Sequence, residues 1–178
     1  MKRFLVVVDM QKDFVDGALG SKEALAIVPA SAAKIRSFEG EIFVTQDTHF
    51  ENYLNTAEGR KLPVPHCIRG TGGWQLDGAI AAALEGKNWT AVEKTTFGST
   101  ELPALIARAA GEEDFSIELI GLCTDICVVS NALLLKAHFP EKEILVDAAC
   151  CAGVTPATHN AALATMACCQ ITVQNGEE

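Results

Sequence analysis

A three-layer α/β/α fold around a mostly parallel six-stranded sheet is predicted by three observations. Short β-branched runs alternate with alanine-rich segments, several of those runs are nearly continuous in apolar residues, and no linker, repeat or low-complexity stretch interrupts the alternation. Continuous apolar runs of strand length are what strands buried on both faces show. Strand followed by helix, repeated, implies a parallel sheet covered on both sides. With 178 residues and 49% hydrophobic residues, the chain reads as a single domain, residues 1–178, that can bury a full core.

The elements follow in order. RFLVVVD (3–9) is the first strand, and SKEALAIVPASAAKIRSF (21–38) after it carries apolar positions at helical spacing. EIFVTQD (41–47) is the second strand. After it comes the longest irregular piece, from about Phe50 to Gly73, containing Gly, Pro, His and charge. Loops of that length in compact domains are usually functional or disordered. RGTGGW (69–74) does not connect a strand to a helix and reads as a turn. GAIAAALEG (78–86) is helical, TAVEK (90–94) the third strand, and STELPALIARAAG (99–111) the next helix. SIELIGL (116–122) leads into TDICVVSNALLLKAHF (124–139), and EILVDA (143–148) into TPATHNAALATMACC (155–169). QITVQ (170–174) closes the sheet.

Composition removes several function classes. The net charge of -9, without a basic patch, argues against nucleic acid, whose binding depends on Lys and Arg neutralising phosphates. No apolar stretch reaches the ~18 residues a membrane helix needs. The apolar run near the start ends early at Asp9, and no small-residue cleavage site follows, so a cytoplasmic location and a small-molecule substrate are expected. Seven cysteines, Cys67, Cys123, Cys127, Cys150, Cys151, Cys168 and Cys169, are poor material for a disulfide framework, and no CxxC zinc spacing occurs. Most are expected to be small core residues. GxGxxG, GxxxxGK[ST] and GxSxG are all absent, which disfavours dinucleotide binding, P-loop chemistry and the serine hydrolase elbow.

In an open parallel sheet, ligands bind beyond the carboxyl ends of the strands. Four predicted strands end in reactive side chains: Asp9; Gln46 and Asp47; Glu93 and Lys94; and, past Gly121, Thr124, Asp125 and Cys127. Thr124 is the expected N-cap of the helix that follows. That puts Cys127 in its first turn, where unpaired N–H groups and the helix dipole lower a thiol pKa and Lys94 lowers it further. A thiolate flanked by backbone donors can attack a carbonyl and stabilise the oxyanion, while Asp9 relays a proton to the leaving amine. His138 and His159 each fall within a predicted helix and read as packing or capping residues.

Three motifs in order, VVVDMQKDF, VEKTTFGS and GLCTDICV, resemble the isochorismatase-like cysteine hydrolases along nearly the whole chain. The resemblance implies a Rossmann-like isochorismatase-type hydrolase fold, with Cys127 the nucleophile, Asp9 the general acid/base and Lys94 the electrostatic partner. It also implies a cis peptide before Cys123, with the N–H groups of Cys123 and Cys127 forming the oxyanion hole, and a homo-oligomer. QDTHFENYLNTAEGRKLPVPHCIRGTGG resembles the DxH…H metal site of the nicotinamidase (pyrazinamidase) branch.

By that resemblance Asp47, His49 and His66 are metal ligands. Glu58 stands where some members place a glutamate, with Glu51 as the other candidate. A third histidine common in the family is absent, and LPVP occupies the place of its tryptophan before the second metal histidine. Two imidazoles with carboxylate suit zinc, iron or manganese. Phe14 matches the family's substrate-pocket position, with Phe97 and Trp74 as further aromatic candidates. The activity implied is an amidohydrolase converting nicotinamide to nicotinate and ammonia through a thioester on Cys127. Its rivals are a relative acting on another small amide or carbamoyl compound, and a non-catalytic scaffold of the same fold.

Overall fold

The computed structural model describes residues 1–176. Its strands are β1 Lys2–Val8, β2 Glu41–Asp47, β3 Trp89–Lys94, β4 Phe115–Leu122, β5 Glu143–Ala152 and β6 Thr172–Gln174. They form one sheet in the order β3-β2-β1-β4-β5-β6, and every pairing is parallel. The expected six strands are all present, and the sheet is parallel throughout rather than mostly so. The order places β1 at the centre and reverses direction there, the position where open α/β sheets leave a crevice.

Helices cover both faces. In β1, Phe4, Val6 and Val8 pack on one side with α5 (Leu102–Ala110), α6 (Val129–His138) and α7 (Pro156–Cys168). Leu5 and Val7 pack on the other with α1 (Lys12–Val15), α2 (Lys22–Ser37) and α4 (Gly78–Leu84). This alternation, with both sets buried, explains why the strand reads as one apolar run. Ser21 caps α2 by accepting from the Ala24 N–H at 3.0 Å, and Thr155 and Thr158 form a reciprocal capping box on α7. None of the described helices is long and apolar enough to cross a membrane.

Three local features differ from the sequence reading. The segment after β2 is not featureless: it contains a 3-10 turn, Tyr53–Asn55, and α3, Ala57–Lys61, capped by the Thr56 hydroxyl on the Gly59 N–H. Thr124 does not cap a regular helix. Cys123 precedes a π-type turn, Thr124–Val128, in which Val128 reaches back to the Cys123 carbonyl, and α6 starts only at Val129. The Thr124 hydroxyl instead meets His159 Nδ1 at 2.7 Å. Finally, Cys168 and Cys169 are exposed, although Cys67, Cys127, Cys150 and Cys151 are buried as expected.

Candidate active site

Register brings the strand ends to one rim. Val8 of β1 is level with Thr45 of β2 and Gly121 of β4, and Asp47 is level with Lys94 of β3. Gly121 is required here, since a Cβ would lie 2.1 Å from the Val8 carbonyl oxygen. Immediately beyond β1 the chain turns through Asp9 at φ 48, a left-handed conformation that aspartate tolerates better than most residues. The Thr45 hydroxyl donates to Asp9 Oδ1 at 2.6 Å and fixes the carboxylate.

Lys94 is the hub. Its Nζ lies 2.6 Å from Asp9 Oδ2, 3.2 Å from Asp47 Oδ1 and 3.6 Å from Cys127 Sγ. Asp9, Lys94 and Cys127 are all buried, and the peptide bond before Cys123 is cis. Burial alone would lower Lys94, but Asp9, Cys127 and Asp47 more than offset it and the ammonium is held above its ordinary range. Burial raises the Asp9 carboxyl by more than Lys94 lowers it, with Asp47 adding to the rise.

The expected acidic thiol is not found. Burial, reinforced by Asp9, pushes the Cys127 thiol well above its ordinary value, and the nearby Lys94 does not compensate. A helix start lowers a thiol pKa where water still reaches the sulfur; here desolvation dominates. The Cys123 thiol, also largely removed from water and near Asp125 and Asp9, is pushed up to about 12.

Beside this trio, the segment after β2 folds back on itself. The His49 N–H donates to the Cys67 carbonyl and the Arg69 N–H to the His49 carbonyl, a one-residue parallel bridge that brings His66 to the end of β2. Asp47, His49 and His66 are buried, with their donor atoms within 4.8 Å of one another. His49 Nε2 lies 2.9 Å from Asp47 Oδ2 and His66 Nε2 lies 3.6 Å from it, while Glu58 Oε1 is 3.7 Å from both ring nitrogens. Metal–ligand bonds of about 2.0–2.2 Å at tetrahedral angles give ligand–ligand edges of about 3.3–3.6 Å, so donors at 2.9 to 3.7 Å would need only small side-chain shifts to close around a divalent ion.

Two further observations agree with that fit. His49 Nε2 is buried without an aligned hydrogen-bond partner among the described residues. His66 Nδ1 sits 2.8 Å from the Val64 carbonyl, which only an N–H can satisfy, so Nε2 keeps its lone pair toward the cluster. Burial would raise Asp47, but the adjacent imidazoles of His49 and His66 and the Lys94 charge hold its carboxyl well below the usual range. Glu58, not Glu51, faces the histidines; Glu51 lines a separate groove with Phe50 and Arg69.

The aromatic candidates separate. Phe14 is buried with its ring 5.4 Å from that of His66. Phe97 lines a pocket of about 630 Å3 together with His49, Glu58, Leu62, Thr95 and Ile126, the last two being the chain neighbours of Lys94 and Cys127. Trp74 does not join it: its indole donates to Thr48, and it lines another groove with Gln46 and Trp89. Sequence reasoning missed Tyr53, whose ring lies edge-on to His49 and His66 at 4.7 and 5.1 Å. It also missed Thr45 and Gln11. Gln11 and Thr45 lie inside quoted runs, but only the folded register shows what they touch.

The isochorismatase domain family matches residues 3–178. An uncharacterized isochorismatase family protein, PncA, of Bacillus subtilis (strain 168) is 32% identical over 147 residues, 75% of this chain and 78% of that protein. The crystal structure of nicotinamidase PncA from Bacillus subtilis superposes with a TM-score of 0.84 at 27% identity, covering 98% of this chain and 100% of the other. The pyrazinamidase of Pyrococcus horikoshii in complex with zinc gives a TM-score of 0.76 at 26% identity, covering 97% and 98% of the two chains.

Proposed function

Because the chain belongs to the isochorismatase family, we propose that it is a cysteine amidohydrolase that converts nicotinamide to nicotinate and ammonia. The observation that carries the reading is Lys94 Nζ, buried between Asp9, Asp47 and the Cys127 sulfur. A buried cation shared by an acid and a thiol at one sheet rim is costly unless it is used. That also speaks against a non-catalytic scaffold.

In this reading Asp9, which shares the Lys94 ammonium with Cys127, takes the thiol proton as sulfur attacks the carboxamide carbon. The N–H groups of Cys123 and Cys127 receive the oxyanion. Asp9 then gives its proton to the amide nitrogen, the C–N bond breaks, and ammonia leaves a thioester on Cys127. Water attacks the thioester after giving a proton to Asp9, the C–S bond breaks, and Asp9 returns the proton to sulfur. Lys94 stays protonated throughout and faces whichever group carries the negative charge.

Asp47, His49, His66 and Glu58 would hold the divalent ion, zinc, iron or manganese. When bound it would offer a site for the pyridine nitrogen and so fix the ring, a positioning role. Phe14 and Tyr53 wall the histidines. Assembly into an oligomer belongs to the same reading and rests on the sequence resemblance, and a cytoplasmic location rests on the early end of the first apolar run at Asp9.

Ammonia release from nicotinamide tests it. Cys127→Ala is expected to abolish turnover, whereas Cys123→Ala keeps its backbone N–H and most of the rate. Equal loss in both variants contradicts the roles assigned.

A further inference from the structure

The two halves of the metal-ligating cluster come from distant segments, the end of β2 and the loop before Ile68, and the stretch from Gln11 into α1 bonds to both. Asp47 is the last residue of β2. On one side its backbone pairs with Lys94 of β3, but on the other β1 has already ended at Val8, opposite Thr45. The Gln11 side chain fills that gap. Its Oε1 accepts from the Asp47 N–H at 2.7 Å, and its Nε2 donates to the Asp47 carbonyl at 2.9 Å and to the Trp74 carbonyl at 2.8 Å. One amide thus pairs with both backbone groups of a metal-ligand residue, as a neighbouring strand would. Gln11 is 0% exposed, so water offers no substitute.

Two residues on, Asp13 grips the other half. Its Oδ2 accepts from the Cys67 N–H at 2.8 Å, and its own N–H donates to the Gly73 carbonyl at 3.0 Å. Cys67 follows His66 directly and holds φ 46, so the bond pins an unfavourable turn beside a ligand. Gly73 leaves room for this contact, because a Cβ there would lie 2.1 Å from Asp13 Oδ2. Phe14 then places its ring edge-on to His66.

We infer that the segment from Gln11 to Phe14 is the template of the metal site, with Gln11 and Asp13 as positioning residues that set Asp47 and His66 without touching the ion. The inference rests on the metal reading above. Groups that orient metal ligands in this way typically hold about 10- to 100-fold of the affinity.

The test is zinc titration of the metal-free protein against a chromophoric chelator, with the melting temperature of each metal-free variant measured alongside. Gln11→Met keeps the size and removes all three bonds; Gln11→Glu keeps the acceptor for the Asp47 N–H and loses both donors; Asp13→Asn weakens the Cys67 bond. Zinc affinity is expected to fall by about 10- to 100-fold in Gln11→Met and less in the other two. The ligand-field spectrum of the cobalt-loaded protein is expected to change in the same order. A merely structural role lowers the melting temperature and leaves the zinc affinity of the folded protein as in the wild type; that result overturns the inference. If Gln11→Met does not fold, Gln11→Glu decides by the same criterion. A wild-type protein that binds no zinc overturns the metal reading itself, and the template with it.

Discussion

Removing the Lys94 cation while keeping its volume, as in Lys94→Met, exposes the electrostatics of the site most directly. The substitution leaves Asp9 and Asp47, which Nζ approaches at 2.6 and 3.2 Å, as two buried carboxylates without their shared counter-ion. Breaking a buried pair by removing one partner costs about 3–5 kcal/mol, a large part of the 5–15 kcal/mol typical of a domain. Asp9, already raised by burial, limits the loss by taking a proton. An acid whose folded pKa rises above its unfolded value destabilises only above the unfolded value. The penalty therefore opens as pH passes about 3.9 and is complete once pH exceeds the variant's own Asp9 pKa. Urea unfolding of the metal-free wild type and variant, at about pH 8 and about pH 4.5, measures both ends. The expected outcome is a loss of about 3–5 kcal/mol at the higher pH and a clearly smaller one at the lower. A loss below about 1 kcal/mol at the higher pH, the scale of an exposed pair, refutes the reasoning.

Chelator treatment is expected to stop nicotinamide hydrolysis, and zinc, iron or manganese to restore it; full activity after verified metal removal contradicts the positioning role of the ion. Iodoacetamide is expected to label the exposed Cys168 and Cys169 before the buried Cys127, whose labelling rises with pH because its thiol is raised. Peptide mapping that finds Cys127 labelled first at about pH 6.5 rules out a protonated resting thiol. Asp147, 2% exposed, bonds Lys34 at 2.7 Å and Asn175 at 3.0 Å. Burial alone would raise Asp147, but Lys34 and Asn175 hold its carboxyl below the ordinary range. A depressed acid stabilises above its unfolded pKa of about 3.9 and loses that contribution as pH falls through the folded value. The stability gap between wild type and Asp147→Asn is therefore expected to close in acid urea titrations; a gap constant with pH contradicts the pairing.

What was legible in the sequence was whatever local pattern encodes. Val6, Val7 and Val8 sit in a strand buried on both faces, so their unbroken apolarity announced a central parallel strand. Asp9, Asp47 and Lys94 follow from the same reading, because a parallel sheet puts all strand ends on one rim. Pairings across distant segments were not legible. Nothing local to Gln11 says that its amide completes the β2 ladder at Asp47, nor to Tyr53 that its ring packs on His49 and His66. The π-type turn was missed for a related reason. Thr124 has the composition of a cap, but its hydroxyl is engaged by His159 from α7, so the register of the turn is set by tertiary contact.

The raised Cys127 thiol bears on how the proposed nucleophile would work. A thiolate formed in advance would be a second buried anion beside Asp9, and its desolvation opposes that more strongly than Lys94 favours it. Moving the proton from sulfur to Asp9 during attack leaves the charge of the site unchanged. The negative charge merely passes between two groups that both face one ammonium, 2.6 Å from Asp9 Oδ2 and 3.6 Å from the sulfur. No new ion has to be desolvated at the moment of reaction, and the fixed cation needs no reorganisation. Burial raises both Asp9 and Cys127, so the proton passes between two groups whose charged forms the same desolvation disfavours. In the proposed reaction one carboxyl group then collects the thiol proton and delivers it to the departing amine.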